Sequence, residues 1–143
     1  PIHNISTDTV NPPQFDKIVA LRAAAKANPL TYNSAELAPQ QTKAYPWVKP
    51  LALQASADEV VDRAEAVLRD MGLEIVSVNK NAGLVEATAT TFWFGFKDDV
   101  AVRVQPAADG GTQVDVRSVS RVGQSDLGAN AARIGEILNG LSG

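Results

Sequence analysis

The sequence predicts an α+β fold, in which an antiparallel sheet of about five strands carries two main helices packed on one face, in a helix-grip-like arrangement. The main observation is the order of hydrophobic patterns after residue 50: a short strand pattern, a helical repeat, four strand patterns and a second helical repeat. The first fifty residues differ, because they hold seven of the eight prolines. We therefore predict a Pro-rich arm (residues 1–50) that wraps an α+β domain (residues 51–143).

The arm is predicted to be ordered, with a flexible linker as the alternative. Each proline removes a backbone donor and biases the preceding residue towards extended geometry, which disfavours long regular elements. The arm is predicted to hold two short helices, at Phe15–Lys26 and Ser34–Ala44. The arm also contains enough apolar side chains to anchor it on a domain, namely Ile2, Ile5, Phe15, Ile18, Leu21, Tyr45 and Trp47.

The domain pattern begins with a short strand at Leu51–Gln54. Ser56 and Glu59 then form a capping box, and Gly72 ends the helix that follows with a left-handed residue. The remaining elements are strands at Leu73–Val78, Leu84–Thr91, Asp99–Pro106 and Thr112–Ser120, and a last helix with Asp126 as its N-cap.

The run TTFWFGFKDDV, Thr90 to Val100, requires the chain to reverse. Apolar residues before the run have odd numbers, and those after it have even numbers: Val85, Ala87 and Ala89 against Val100, Val102 and Val104. A straight strand cannot keep both sets on one face, because one residue of slip moves every side chain to the other face. We predict a turn or bulge at Trp93–Lys97, permitted by Gly95. Phe92 should face the core, and Trp93 and Phe94 should be exposed.

The pairing of the last two strands, with Val102 opposite Val116, predicts the neighbours of this turn. It gives two cross-strand ion pairs on the outward face, Arg103 with Asp115 and Arg117 with Asp99. It also brings residues 121–126 to the same end of the sheet. Aromatic residues and arginine are enriched in binding hot spots. The candidate partner-binding residues are therefore Trp93, Phe94, Phe96, Lys97, Asp98, Arg117 and Arg121.

Composition argues against several functional classes. The 143-residue chain has a net charge of −3 and 13 Lys and Arg residues that form no basic stripe, so nucleic acid is not expected as a partner. Cysteine is absent, which removes disulfides, thiolate metal sites and cysteine nucleophiles. The single histidine, His3, lies near a terminus, where a catalytic framework is rare. We predict no catalytic residue, no cofactor and no metal.

Two polar groupings leave alternatives open. Asp98 and Asp99 could form an acid–base or cation-binding pair, but adjacent strand residues point to opposite faces, which favours structural pairing instead. Three arginines and several hydroxyls surround the N-terminus of the last helix, where an anion could bind. Asp126 at the cap position argues against an anion there.

Three segments carry a family resemblance: NPPQF from Asn11, TFWFGFKDDV from Thr91, and DVRSVSRVGQSDLGANAARI from Asp115. Together they resemble the bacterial domain-of-unknown-function 1499 family over nearly the whole chain. That family has no established activity, so the resemblance transfers no catalytic residue. Members often carry the domain after hydrophobic N-terminal segments. The resemblance therefore implies a periplasmic envelope protein, anchored in the membrane through a segment preceding Pro1.

We therefore expect a non-enzymatic interaction domain of the envelope, which docks on a membrane-associated protein or on a second copy of the chain. The alternative is a carrier that holds a small lipid-like or apolar molecule between sheet and helix, which a cavity of ligand size there would favour. A small hydrolase using Asp98, Asp99 or Asp126 is the least favoured, because the sequence offers no nucleophile or base.

Overall fold

The computed structural model describes residues 2–91, 95–123 and 128–143. The helices are α1 (Ile18–Ala24), α2 (Ser34–Ala44), α3 (Ala57–Asp70) and α4 (Ala129–Ser142). The strands are β1 (Asn4–Ser6), β2 (Leu51–Leu53), β3 (Glu74–Asn79), β4 (Leu84–Thr90), β5 (Lys97–Pro106) and β6 (Thr112–Ser120). These elements confirm the predicted α+β class.

The strands form one antiparallel sheet in the order β1-β6-β5-β4-β3, and β2 also pairs with β6. The register sets Val102 opposite Val116, as the alternating pattern predicts. The sequence pattern did not predict β1, which comes from the arm and pairs with β6. The arm therefore contributes a strand to the sheet that it covers.

Helices α3 and α4 pack on one face of the sheet, and the main core lies beneath them. Its central side chains are fully buried and come from both layers: Val85, Val102, Val116, Leu68 and Ile134. The predicted start and end of α3 are confirmed. The hydroxyl of Ser56 accepts the backbone N–H of Glu59 at 3.3 Å, and Gly72 has a φ of +84° just after the helix.

The opposite face of the sheet is covered by the arm. Phe15 and Ile18 pack against Ala101 and Val119 in a second, smaller apolar cluster. The sequence pattern assigned this face to solvent, because odd-numbered positions of β5 and β6 carry Asp and Arg. Those charged side chains are instead buried under the arm, and they pair with groups that the arm supplies.

Helix α1 is held on the sheet by a buried carboxylate from β4. Glu86, which is 0% exposed, accepts backbone N–H groups from Asp16, Lys17 and Ile18 at 2.8, 2.9 and 3.1 Å. The first N–H groups of a helix have no partner within the helix, and its dipole favours negative charge at this end. Glu86 satisfies both conditions, which ties the start of α1 to the middle of the sheet.

Helix α2 protects the sheet edge at β1. The side chain of Gln41 donates to the carbonyl of Ser6 at 2.7 Å and accepts the Ser6 N–H at 3.0 Å. Gln41 thus satisfies two backbone groups of the edge strand, which would otherwise be open to pairing with another chain. At the other end of the chain, α4 begins at Ala129 with Gly128 as its N-cap, and the predicted cap Asp126 lies outside the described residues.

Candidate functional site

The chain reverses between β4 and β5, as the change from odd to even core positions predicts. Thr91 closes the turn: its N–H donates to the carbonyl of Phe96 at 2.7 Å, and its hydroxyl accepts the Phe96 N–H at 2.9 Å. Gly95 has a φ of +64°, a conformation that glycine adopts without steric cost. Phe92, Trp93 and Phe94 lie outside the described residues, so the burial of Phe92 and the exposure of the other two stay predictions.

Two exposed apolar side chains lie at this end of the sheet. Phe96 is 52% exposed, and Val122 is 65% exposed. In the register of β5 and β6, Asp98 pairs with Ser120, and the Arg121 N–H then donates to the Lys97 carbonyl at 3.0 Å. Continuing this register by one more residue places Phe96 beside Val122. We call Phe96, Lys97 and Val122 the turn surface. It presents an apolar pair next to an exposed cation.

Asp99 is the charged centre behind the turn surface. It is 0% exposed and accepts hydrogen bonds from Arg22 at 2.8 Å, from Arg121 at 2.9 Å and from the hydroxyl of Thr88 at 2.9 Å. The hydrogen bond to Asp99 raises the pKa of Arg121, while burial opposes that shift. One carboxylate therefore serves two guanidinium groups.

The predicted ion pair between Arg117 and Asp99 is wrong, although the predicted register is correct. The two residues do share a face of the sheet, but Arg22 from α1 and Arg121 take the positions around the carboxylate. The other predicted pair is confirmed, with 3.4 Å between Arg103 and Asp115. The register determines which strand residues are neighbours, but not which side chain the arm inserts between them.

Asp98 points to the helix face, opposite to Asp99. It is 5% exposed and pairs with Arg133 of α4 at 2.9 Å. The two adjacent carboxylates therefore do not share a site, as the alternation of strand side chains leads one to expect. Asp98 contributes to the packing of α4 and is not part of the turn surface.

A buried polar cluster at the start of α4 was missed by the sequence reasoning. Asn130, which is 0% exposed, hydrogen-bonds to the hydroxyls of Ser118 and Ser120, and Arg133 donates to Ser118 at 3.3 Å. The available signal was the spacing of Asn130 and Arg133, which places them on one face of a helix above a strand with alternating serines.

Arg117 lies away from the turn surface, beneath the arm. Its side chain is 4% exposed, and its guanidinium carbon lies 5.4 Å from the ring centre of Phe15 and 5.9 Å from that of Tyr32. Of the candidate partner-binding residues that the structure describes, Phe96, Lys97 and Arg121 lie together at the turn, whereas Asp98 and Arg117 do not.

A cavity of about 200 Å³ lies between the end of α3, β4 and α4. Its lining includes the side chains of Arg133 and Glu136 as well as Met71 and Leu73. Within the described part of the chain, no group of three or more His, Cys, Asp or Glu side chains could hold a metal ion. None of the described helices combines the length and apolar character needed to cross a bilayer.

The fold and its exposed turn define a small α+β domain with one sheet face covered by helices and the other by an N-terminal arm. The chain belongs to the family described as "Protein of unknown function (DUF1499)", whose model matches residues 4–141. No curated protein matches the chain.

Proposed function

We propose that the chain is a non-enzymatic interaction domain that docks on a membrane-associated protein through the turn surface. The observation that carries this proposal is the exposed pair of Phe96 and Val122 at one end of the sheet. The partner surface would combine an apolar contact with acidic groups. A periplasmic location with a membrane anchor belongs to the same proposal, and the motif resemblance alone supports it.

Hydrogen bonds hold the backbone of the turn surface. The N–H and carbonyl of Phe96 both bond to Thr91, and the carbonyl of Lys97 accepts the N–H of Arg121. A contact group that is ordered before binding loses little conformational entropy when the partner arrives. Aromatic side chains are also among the residues that contribute most to binding energy at interfaces.

The charge at this end of the sheet favours an acidic partner. Arg22 and Arg121 share the single carboxylate of Asp99, and Lys97 is exposed. Lys26 is also exposed. It lies near Arg121 along the chain path, because the N–H of Asn28, two residues later, donates to the carbonyl of Arg121.

Glu74 interacts with Arg121 and offsets part of the positive charge. Among the described side chains named at this end, four cations nevertheless outnumber the two carboxylates of Asp99 and Glu74, whereas the chain as a whole has a net charge of −3. Complementary charge across an interface accelerates association and selects the partner.

The alternative of an apolar carrier receives less support. The cavity between α3, β4 and α4 has about 200 Å³, below the roughly 300–1,000 Å³ of typical ligand pockets. Charged side chains line part of it, namely Arg133 and Glu136. A lipid-like molecule would have to displace the buried side chains of the core to enter between sheet and helix.

Site-specific photo-crosslinking in native membranes tests the docking proposal. We expect a photoreactive amino acid at Phe96 to give a defined protein adduct, which weakens when Lys97→Glu reverses the charge or when the salt concentration rises. Val10, which is 87% exposed and lies in the arm, is the control position.

Equal adducts from the two positions, or none from Phe96, would contradict the proposal. An adduct of twice the chain mass would replace the membrane-associated partner with a second copy. An adduct with lipid only would show a membrane-binding surface instead.

A further inference from the structure

A cleft of about 370 Å³ opens on the face of the sheet that the arm covers. Its walls combine apolar side chains with polar ones, and its floor includes Arg117. The lining residues are Asn11, Pro12, Gln14, Phe15, Leu30, Thr31, Tyr32 and Arg117. The cleft lies apart from the turn surface, and the docking proposal makes no use of it.

Arg117 is a buried cation whose described hydrogen-bond partners are all neutral. It donates to the side-chain carbonyl of Asn4 at 3.0 Å, to the backbone carbonyl of Pro13 at 3.0 Å and to that of Leu30. The other arginines on this face differ, because Arg22 and Arg121 pair with Asp99. Asp8 lies near the cleft, but it pairs with Arg103 at 3.1 Å.

The surroundings disfavour the charge that Arg117 carries. Burial, followed by the repulsion from Arg22, lowers the pKa of Arg117 from its ordinary value to about 10, and Tyr32 opposes this shift. At neutral pH the guanidinium is still charged. A buried charge without an opposite charge is unfavourable, and an anion in contact with it removes much of that cost.

We propose that this cleft binds the carboxylate of a small organic acid, with Arg117 as the anion-binding group. The guanidinium has five N–H groups, of which three donate to Asn4, Pro13 and Leu30, so two are left for a ligand. A planar guanidinium matches the two oxygens of a carboxylate. Arg117 is the single cation among the described residues that line the cleft, which suits a singly charged ligand.

The walls select an acid with an apolar body. Pro12, Phe15 and Leu30 offer apolar contacts, and the ring of Tyr32 also lines the cleft. The cleft volume lies within the range of small-molecule sites, roughly 300–1,000 Å³. Gln14, Thr31 and the Tyr32 hydroxyl can hydrogen-bond polar substituents. A short inorganic anion would leave most of this surface without contacts.

Titration of the full chain with benzoate, followed by amide and arginine side-chain NMR, tests the inference. We expect saturable shifts at Thr31, Tyr32 and the Nε–H of Arg117, with a dissociation constant of about 1 mM or below. Benzamide, which has the same ring without the charge, should bind at least about tenfold more weakly, as should acetate, which lacks the ring.

The competing outcomes are distinct. Absence of saturable shifts at these groups, or benzamide binding within tenfold of benzoate, would overturn the inference. Equal binding of acetate or inorganic phosphate would leave a site for simple anions and would overturn the assignment of an organic acid.

A pair of matched variants provides a second test. Gln14→Glu places a carboxylate in the cleft. This carboxylate should form an ion pair with Arg117 and weaken benzoate binding at least about tenfold. Gln105→Glu adds the same charge at an exposed position of β5 and should change binding less than about twofold. Equal effects of the two substitutions would show that benzoate responds only to the net charge of the protein.

Discussion

At the scale of single residues, the arm changes the chemistry of the side chains that it covers. Tyr32 illustrates this effect, because its phenol lies half-buried in the arm-covered cleft beside Arg117. Burial raises the pKa of Tyr32 above its ordinary value of 10.0, the charge of Arg117 lowers it, and Asp8 raises it. Burial is the largest of these influences.

We expect spectrophotometric titration to show one tyrosine that ionises above pH 10.0 in the folded chain. Because its folded pKa is raised, Tyr32 contributes stability that is present below pH 10 and is lost as the pH rises through the folded pKa. Tyr32→Phe should abolish the late titration and reduce the loss of stability in this alkaline range. An unchanged titration curve in that variant would assign the late phase to another group.

The residue scale also shows the limit of reasoning from sequence. Strand alternation correctly predicts that Arg103 faces Asp115 and that Asp98 and Asp99 point to opposite faces. It cannot predict that Arg22, 77 positions before Asp99, reaches that carboxylate, because no periodic pattern links the two residues. The predicted partner-binding role of Arg117 rested on the same strand register, which does not show that the arm covers this residue.

At the scale of elements, α1 depends on contacts with the sheet. It has seven residues, which is too short for a stable isolated helix. Glu86 binds its first N–H groups, and Arg22 near its end binds Asp99 and the carbonyls of Val119 and Ser120. A buried carboxylate thus fixes the start of the helix, and a buried ion pair fixes its end.

We expect Arg22→Met to lower the free energy of unfolding by on the order of 3 kcal/mol, the cost of breaking a buried pair from one side. Arg121 still compensates part of the Asp99 charge, so the cost should lie near the lower limit for such pairs. The control is Arg69→Met, which removes an exposed pair with Glu65 and should cost less than about 0.5 kcal/mol. Urea unfolding measures both variants, and similar losses would refute a structural role for Arg22.

Helix α2 has the predicted bounds, Ser34–Ala44, and the elements with a long periodic pattern were also predicted well. The strands after residue 72 and helix α3 follow the predicted alternation and capping. In contrast, α1 (Ile18–Ala24) is shorter than the predicted Phe15–Lys26. The backbone N–H groups of Asp16 and Lys17 bond to Glu86 before the helix begins, and Lys26 has a left-handed φ of +53° after it ends. Strand β1 has three residues, too few to show a period, and it forms only because β6 offers an edge.

At the scale of the whole molecule, the arm and the domain share one sheet. β1 pairs with β6, Gln41 covers the sheet edge, and α1 lies across the second face. The predicted division between residues 1–50 and 51–143 stays a prediction. These contacts should protect the arm from proteolysis in the folded chain.

We expect limited trypsin digestion to cut the arm no faster than it cuts at Lys80, which lies in the exposed turn between β3 and β4. Cleavage needs local unfolding, and the arm is tied to the sheet by buried contacts. Digestion in denaturing urea, where all sites are open, provides the reference rates. Rapid trimming of residues 1–50 to leave a stable fragment 51–143 would show that the arm is an independent tail.

The pairing of the arm with β6 also determines when the arm can fold. The N–H of Val116 donates to the hydroxyl of Thr7, 109 residues earlier, so β6 is synthesised long after the part of the arm that it binds. Contacts between such distant positions slow folding, because a large loop must close before they form. The arm therefore stays undocked until β6 has formed, with Phe15 and Ile18 uncovered. During that interval a chaperone that shields apolar segments can bind the arm.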